Sequence, residues 1–113
     1  MTTTNIMLDL DLHYAGSIAI DSGQAMVGDP CYLYDWDTST NDDDMSDKRV
    51  GEYSYNGVSA TTIKNTFGTV GIHKAVAFST GYGDGVYPVY VKLNEDNRVS
   101  MVIIDFEGNI DEA

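Results

Sequence analysis

The sequence predicts a mainly β protein, an antiparallel β-sandwich or partly open barrel with at most one short helix. Three observations point there. Residues 6–13 alternate, with Ile6, Leu8, Leu10 and Leu12 on one face and Met7, Asp9, Asp11 and His13 on the other, the period of a half-buried strand. The stretch from His73 to Gly108 holds three β-rich runs separated by "GYGDG" and "NEDN", the pattern of an antiparallel meander. Apolar runs are short throughout, and none approaches the ~20 residues of a membrane helix.

The remaining elements follow in order. Gly16 separates the first run from "SIAI", which suggests a hairpin, and Ser22-Gly23 reads as a turn. "QAMV" is a short strand ended by Gly28-Asp29-Pro30. Tyr32, Tyr34 and Trp36 then alternate with Cys31, Leu33 and Asp35, as on the two faces of a strand. Residues 37–48 are polar, acidic and aperiodic, and read as an exposed loop. Asn56-Gly57 between strand-like residues is the strongest short hairpin signal. "SATTIKNTFG" fits one short helix, capped by Ser59 and ended by Gly68. Pro88 cannot donate a ladder hydrogen bond, so its strand is expected at an edge or at a bulge. An exposed edge there would offer a surface for pairing with a second copy. The residues 109–113 read as a frayed tail, and the whole chain as one domain.

Composition bounds the function. The chain has 113 residues, 42% of them hydrophobic, and a net charge of −12. Fourteen of its eighteen acids are Asp, and ten of those precede Lys48, the first basic residue. Binding to nucleic acid or to an anionic membrane through phosphates needs the Lys and Arg this chain lacks. A basic protein partner fits instead. Asp35, Asp37, Asp42, Asp43, Asp44 and Asp47 are the candidate partner-binding residues. The single cysteine, Cys31, excludes an intrachain disulfide and fits a reducing compartment. With no basic-then-apolar leader pattern at the N-terminus, a cytoplasmic protein is expected.

The motifs do not read as catalytic. Gly81, Gly83 and Gly85 form G-x-G-x-G followed by a strand, not the G-x-G-x-x-G and helix of a dinucleotide site. They read as a strand-connecting turn, with Asp84 opposing any anion. Cys31 as a nucleophile would need His13 or His73 as base, and a buried structural thiol is the expectation. A hydrolase would have to use Asp84 or Asp29 with His73. Asp9, Asp11 and His13 have metal-ligand types, but a solvent-facing strand gives the same pattern. From Asp42 a calcium-hand reading fails, with Asp47 at the sharp-turn Gly position and Tyr53 at the closing Glu position. No cofactor is implied. The alternative to partner binding is a small ligand or divalent metal at the "GDPCY" and "GYGDG" turns, through Asp29, Cys31, Tyr82, Asp84 and Tyr87.

"IAIDSGQAMVGDPCYL", "YSYNGVSATTI" and "AVAFSTGYGDGVYPVYVKLNEDNRVSMVIIDF" together resemble the domain of unknown function 4241 family and related small phage and bacterial proteins. The motif positions fall on Asp21, Gly23, Gly28, Asp29, Pro30, Gly81, Gly83, Asp84, Gly85 and Pro88. The resemblance implies a small, mostly-β domain, often phage-encoded, that acts inside a bacterium. It transfers no catalytic residues. The expected activity is therefore non-catalytic: engagement of a protein partner by an anionic surface, which could mimic nucleic acid.

Overall fold

The structure, a computed structural model, describes residues 11–39 and 44–110. Its strands are β1 (Leu12–Ile20), β2 (Gln24–Gly28), β3 (Phe67–Val70), β4 (Ala75–Ser79), β5 (Gly85–Leu93) and β6 (Val99–Ile104). Among the described residues, one α-helix, α1 (Tyr55–Asn65), and 3-10 helices at Pro30–Asp35 and Asp47–Arg49 accompany them. The fold is mainly β, with two antiparallel three-stranded sheets of order β2-β4-β3 and β1-β5-β6. Neither sheet closes into a barrel. The first sheet, with the helices, belongs to a compact unit of residues 21–83; the second belongs to the rest of the chain.

In the unit of residues 21–83, α1 lies on one face of the sheet. Ala75 and Ala77 alternate on β4 toward it and are buried with Tyr53, Val58 and Val70, while Trp36 packs against this cluster. Small residues set the distance. A Cβ on Gly68 of β3 would stand 2.9 Å from the Thr61 methyl of α1. Burying a side chain such as Val70, which has no exposed surface, stabilises the unit by about 1.5–3 kcal/mol.

Helix α1 replaces the expected Asn56-Gly57 hairpin. Ser54 has extended backbone and accepts the Gly57 N–H at 2.9 Å, an N-cap bond. Gly57 serves a close approach here: a Cβ would lie 2.1 Å from the Glu52 carbonyl oxygen. Ser59, expected as the cap, is buried inside the helix and accepts the Gln24 side-chain amide at 2.8 Å. The helix ends earlier than Gly68, at Thr66, whose φ is +71°.

Other expectations change too. Gly16 makes no hairpin. It lies inside β1 with φ +146°, where the register to β5 slips between Tyr14 and Gly16, a bulge that glycine permits. The β4–β5–β6 meander is broken, because β4 pairs with β2 and β3 while β5 pairs with β1 and β6. Pro88 is therefore on a central strand. It sits at the last rung toward β6: its carbonyl accepts the Asp105 N–H at 3.2 Å, and in an antiparallel pair its nitrogen points the same way. The missing N–H thus costs one bond at the ladder's end. The tail is held as far as Ile110, whose N–H donates to Asp105 at 2.7 Å. Residues 1–10, 40–43 and 111–113, including the strand-like Ile6, Leu8 and Leu10 and the candidates Asp9, Asp42 and Asp43, lie outside the described residues.

Candidate functional site

At one end of the β2-β4-β3 sheet, Gly28 pairs with Ala75. The chain leaves β2 there through Asp29, and the β3–β4 hairpin turns there through residues 71–74. The two segments touch closely: a Cβ on Gly28 would stand 2.6 Å from the Lys74 carbonyl oxygen. Lys74 holds the hairpin and reaches across. Its ammonium donates to the Gly71 carbonyl at 3.2 Å and stands 5.7 Å from the Tyr32 ring centroid, within cation–π range.

The aromatic run after Pro30 is a 3-10 helix, not the expected strand. Asp29 accepts the Cys31 N–H at 2.9 Å and Pro30 occupies the first turn, the cap and fixed φ that start a helix. The predicted stripe is consequently split. Trp36 turns inward, edge-on to Tyr53 at 5.0 Å. Tyr32 meets Lys74. Leu33 is exposed and Tyr34 is 98% exposed, so Tyr34 has no packing role. Asp37 fixes the far end, its N–H donating to the Tyr53 carbonyl at 3.0 Å.

The hairpin tip is equally exposed. Ile72 is 88% exposed, and Gly71, Ile72 and His73 all have positive φ, at +69°, +52° and +71°. A β-branched residue in that region is an outlier. Neither Ile72 nor Lys74 was expected from the sequence to belong to a site.

Cys31 is exposed, not the buried thiol expected. Local desolvation, a hydrogen bond with Asp29 and the charges of Asp29 and Asp35 push its thiol above the usual range. It is thus protonated at neutral pH, the opposite of an activated nucleophile.

The other sequence candidates are dispersed. Tyr82 lies on the turn that follows Ser79, and Ser79 pairs with Gln24 at the opposite end of the sheet. Four strand residues, about 13 Å, thus separate the "GDPCY" turn from Gly81 and Gly83. In that second turn the buried Thr80 donates its hydroxyl to the Gly83 carbonyl at 2.8 Å and accepts the Gly83 N–H at 3.1 Å. Gly81 and Gly83 supply φ of +60° and +111°, as a strand-connecting turn requires. Asp84 and Tyr87 lie in the other unit, where Asp84 is exposed and Tyr87 packs edge-on to Phe106 at 5.1 Å. Asp11 and His13 are exposed at the start of β1.

The acidic loop is partly neutralised from within. Asp44 meets Arg49 Nε at 3.3 Å, Arg49 Nη1 meets Glu52 at 3.3 Å, and Lys64 meets Asp47 at 3.1 Å. The Asp44 carbonyl also accepts the Asn56 side-chain amide at 3.1 Å. Hydrogen bonds from the Ser46 hydroxyl and N–H lead the causes that hold the Asp44 carboxyl below its usual range. Ser39 does the same for Asp37 through its hydroxyl at 2.6 Å and its N–H at 2.9 Å. Asp35 and Asp37 remain exposed beside Leu33 and Tyr34. Among the described residues, no three His, Cys, Asp or Glu side chains are grouped to hold a metal ion, and no helix is long and apolar enough to cross a membrane.

A family model described as "Protein of unknown function (DUF4241)" matches residues 13–104, from the second residue of β1 to the end of β6. The chain belongs to the DUF4241 family. No curated protein and no solved structure matches it. In this DUF4241 member the motif residues Gly28, Asp29 and Pro30 form the corner that launches the exposed 3-10 helix. Gly23, whose carbonyl accepts the Thr80 N–H at 3.0 Å, ties the two turns at the sheet's other end.

Proposed function

We propose that this DUF4241 protein is a non-catalytic interaction protein that engages a basic protein surface through residues 29–37 and the neighbouring hairpin tip. The observation that carries this reading is Tyr34, a large aromatic 98% exposed on a short helix bounded by Asp29, Asp35 and Asp37. An aromatic anchor within a charged rim is the composition of a binding hot spot. Rim charges of one sign steer a partner of the other. In a narrower form, Asp35 and Asp37 stand in for nucleic-acid phosphates in the partner's basic groove. The setting is a reducing cytoplasm, that of a bacterial host if the chain is phage-encoded, which suits the free Cys31 thiol.

The test captures partners from bacterial lysate on the immobilised protein at low and moderate salt. The captured protein should release steeply as salt rises, because exposed charges are screened. The double variant Asp35→Asn, Asp37→Asn should flatten that dependence, and Tyr34→Ala should weaken binding by about tenfold. Competition by duplex DNA would support the narrower form. A partner whose affinity ignores salt and survives both variants would reject the reading.

A further inference from the structure

Among the described residues, strand β6 is an edge of the β1-β5-β6 sheet. Its six residues, Val99–Ile104, carry neither a charge nor a proline, the devices that commonly keep edges from pairing. Both edges are irregular, β1 at Tyr14–Gly16 and β6 at Ser100, which is left over between the Lys92–Met101 and Leu93–Val99 pairs, so the regular run that β6 offers is Met101–Ile104. Register fixes what β6 presents. The Asp105 N–H points to β5, since it donates to Pro88 at 3.2 Å. Backbone groups alternate sides along a strand, so Ile103 pairs inward while Val102 and Ile104 turn their N–H and C=O groups outward. Val102 is 57% exposed, and Val99 and Met101 are exposed as well.

We propose that β6 pairs antiparallel with the same strand of a second copy, about a two-fold axis at Val102, to form one six-stranded sheet. Val102 then stands opposite Val102 of the partner subunit, and Met101 opposite Ile103 of the partner subunit, within the regular run. An interface of this kind must match itself, and the charges flanking β6 do. Arg98 precedes the strand and Glu107 follows it, so the antiparallel arrangement brings Arg98 toward Glu107 of the partner subunit, twice by symmetry. The net charge of −12 on each chain opposes association, and salt screens that repulsion. The dimer therefore tightens as salt rises, opposite to the salt dependence of the basic-partner interaction, and the two readings can fail separately.

Sedimentation velocity over a range of protein and salt concentrations tests this. The mass should double with rising concentration, and more readily at higher salt. Val102→Pro removes an outward N–H without touching the β5 ladder and should weaken the dimer by more than about tenfold. Val102→Lys, which adds an edge charge and keeps the N–H, should do the same, and decides the matter if the proline variant does not fold. Arg98→Glu should also weaken it. A chain that stays monomeric at its highest soluble concentrations would overturn the proposal. So would a dimer that persists in a folded Val102→Lys variant.

Discussion

Gly57 lies directly against the Glu52 backbone: a Cβ on it would stand 2.1 Å from the Glu52 carbonyl oxygen and 2.6 Å from the carbonyl carbon. The obstacle is main chain, held where the Glu52 N–H donates to the Arg49 carbonyl at 3.0 Å, so no side chain can swing aside. Alanine inside a helix normally gains about 1 kcal/mol over glycine. Here overpacking costs about 3 kcal/mol, and overpacking wins. Gly57→Ala is expected to lower stability by about 2 kcal/mol, the difference of those two effects, read as the urea midpoint at unchanged slope. A variant as stable as the parent would refute the close approach.

Asp105 predicts how the chain meets acid. It is 6% exposed, and its carboxylate accepts the Glu107 N–H at 3.1 Å and the Ile110 N–H at 2.7 Å. Burial pushes its pKa up, but the amides of Ile110, Asn109, Glu107 and Gly108 together hold it below the usual carboxylate range. A depressed folded pKa means stability that is present above the unfolded value, ~3.9. That stability is lost as pH falls through the folded value. Asp37 and Asp44 shift in the same direction. Melting temperature should thus be flat near neutrality and fall below about pH 4. Asp105→Asn should cost about 1–3 kcal/mol at pH 7 and make the acid limb shallower. An acid limb unchanged in that variant would contradict the assignment.

Cys31 separates exposure from reactivity. The thiol is exposed, yet desolvation and the two aspartates beside it raise its pKa. Alkylation at neutral pH should run slower than for a free small thiol, because only the thiolate attacks. Asp29→Asn together with Asp35→Asn should speed it. Equal rates in parent and variant would show that the aspartates do not govern the thiol.

The strands were legible where one face is buried and the period of two survives, as in β4, whose Ala75 and Ala77 face the helix. They were illegible where a local signal has two uses. Asn56-Gly57 is a hairpin signal by composition, but Glu52 presses on Gly57 from outside that dipeptide and Ser54 caps the turn. The run from Cys31 to Trp36 alternates like a strand, but Asp29 and Pro30 start a helix before the alternation can act. Pro88 suggests an edge, yet the ladder simply ends beside it. For the candidate site, the exposed acids Asp35 and Asp37 could be read from the loop's composition. Ile72 and Lys74 could not, because only the β3–β4 register brings them to the end of the sheet where Asp29 and Tyr32 lie. The internal pairing of Asp47 with Lys64 was equally hidden, since seventeen positions separate them in sequence.

The hairpin tip carries the last prediction. Ile72 holds φ +52° between Gly71 at +69° and His73 at +71°, while 88% exposed. For a side chain with a Cβ, left-handed backbone costs about 1–2 kcal/mol, and Ile72 recovers almost none of it by burial. Asparagine tolerates this region better without the added chain entropy of glycine. Ile72→Asn should therefore raise stability by about 1 kcal/mol. If the strained tip serves recognition, the same change should weaken capture of the basic partner, because it removes an exposed apolar contact beside Tyr32 and Lys74. Thermal melts and partner capture on the one variant read both effects. A lower melting temperature would show that the strain is not there, and undiminished capture would remove Ile72 from the binding surface.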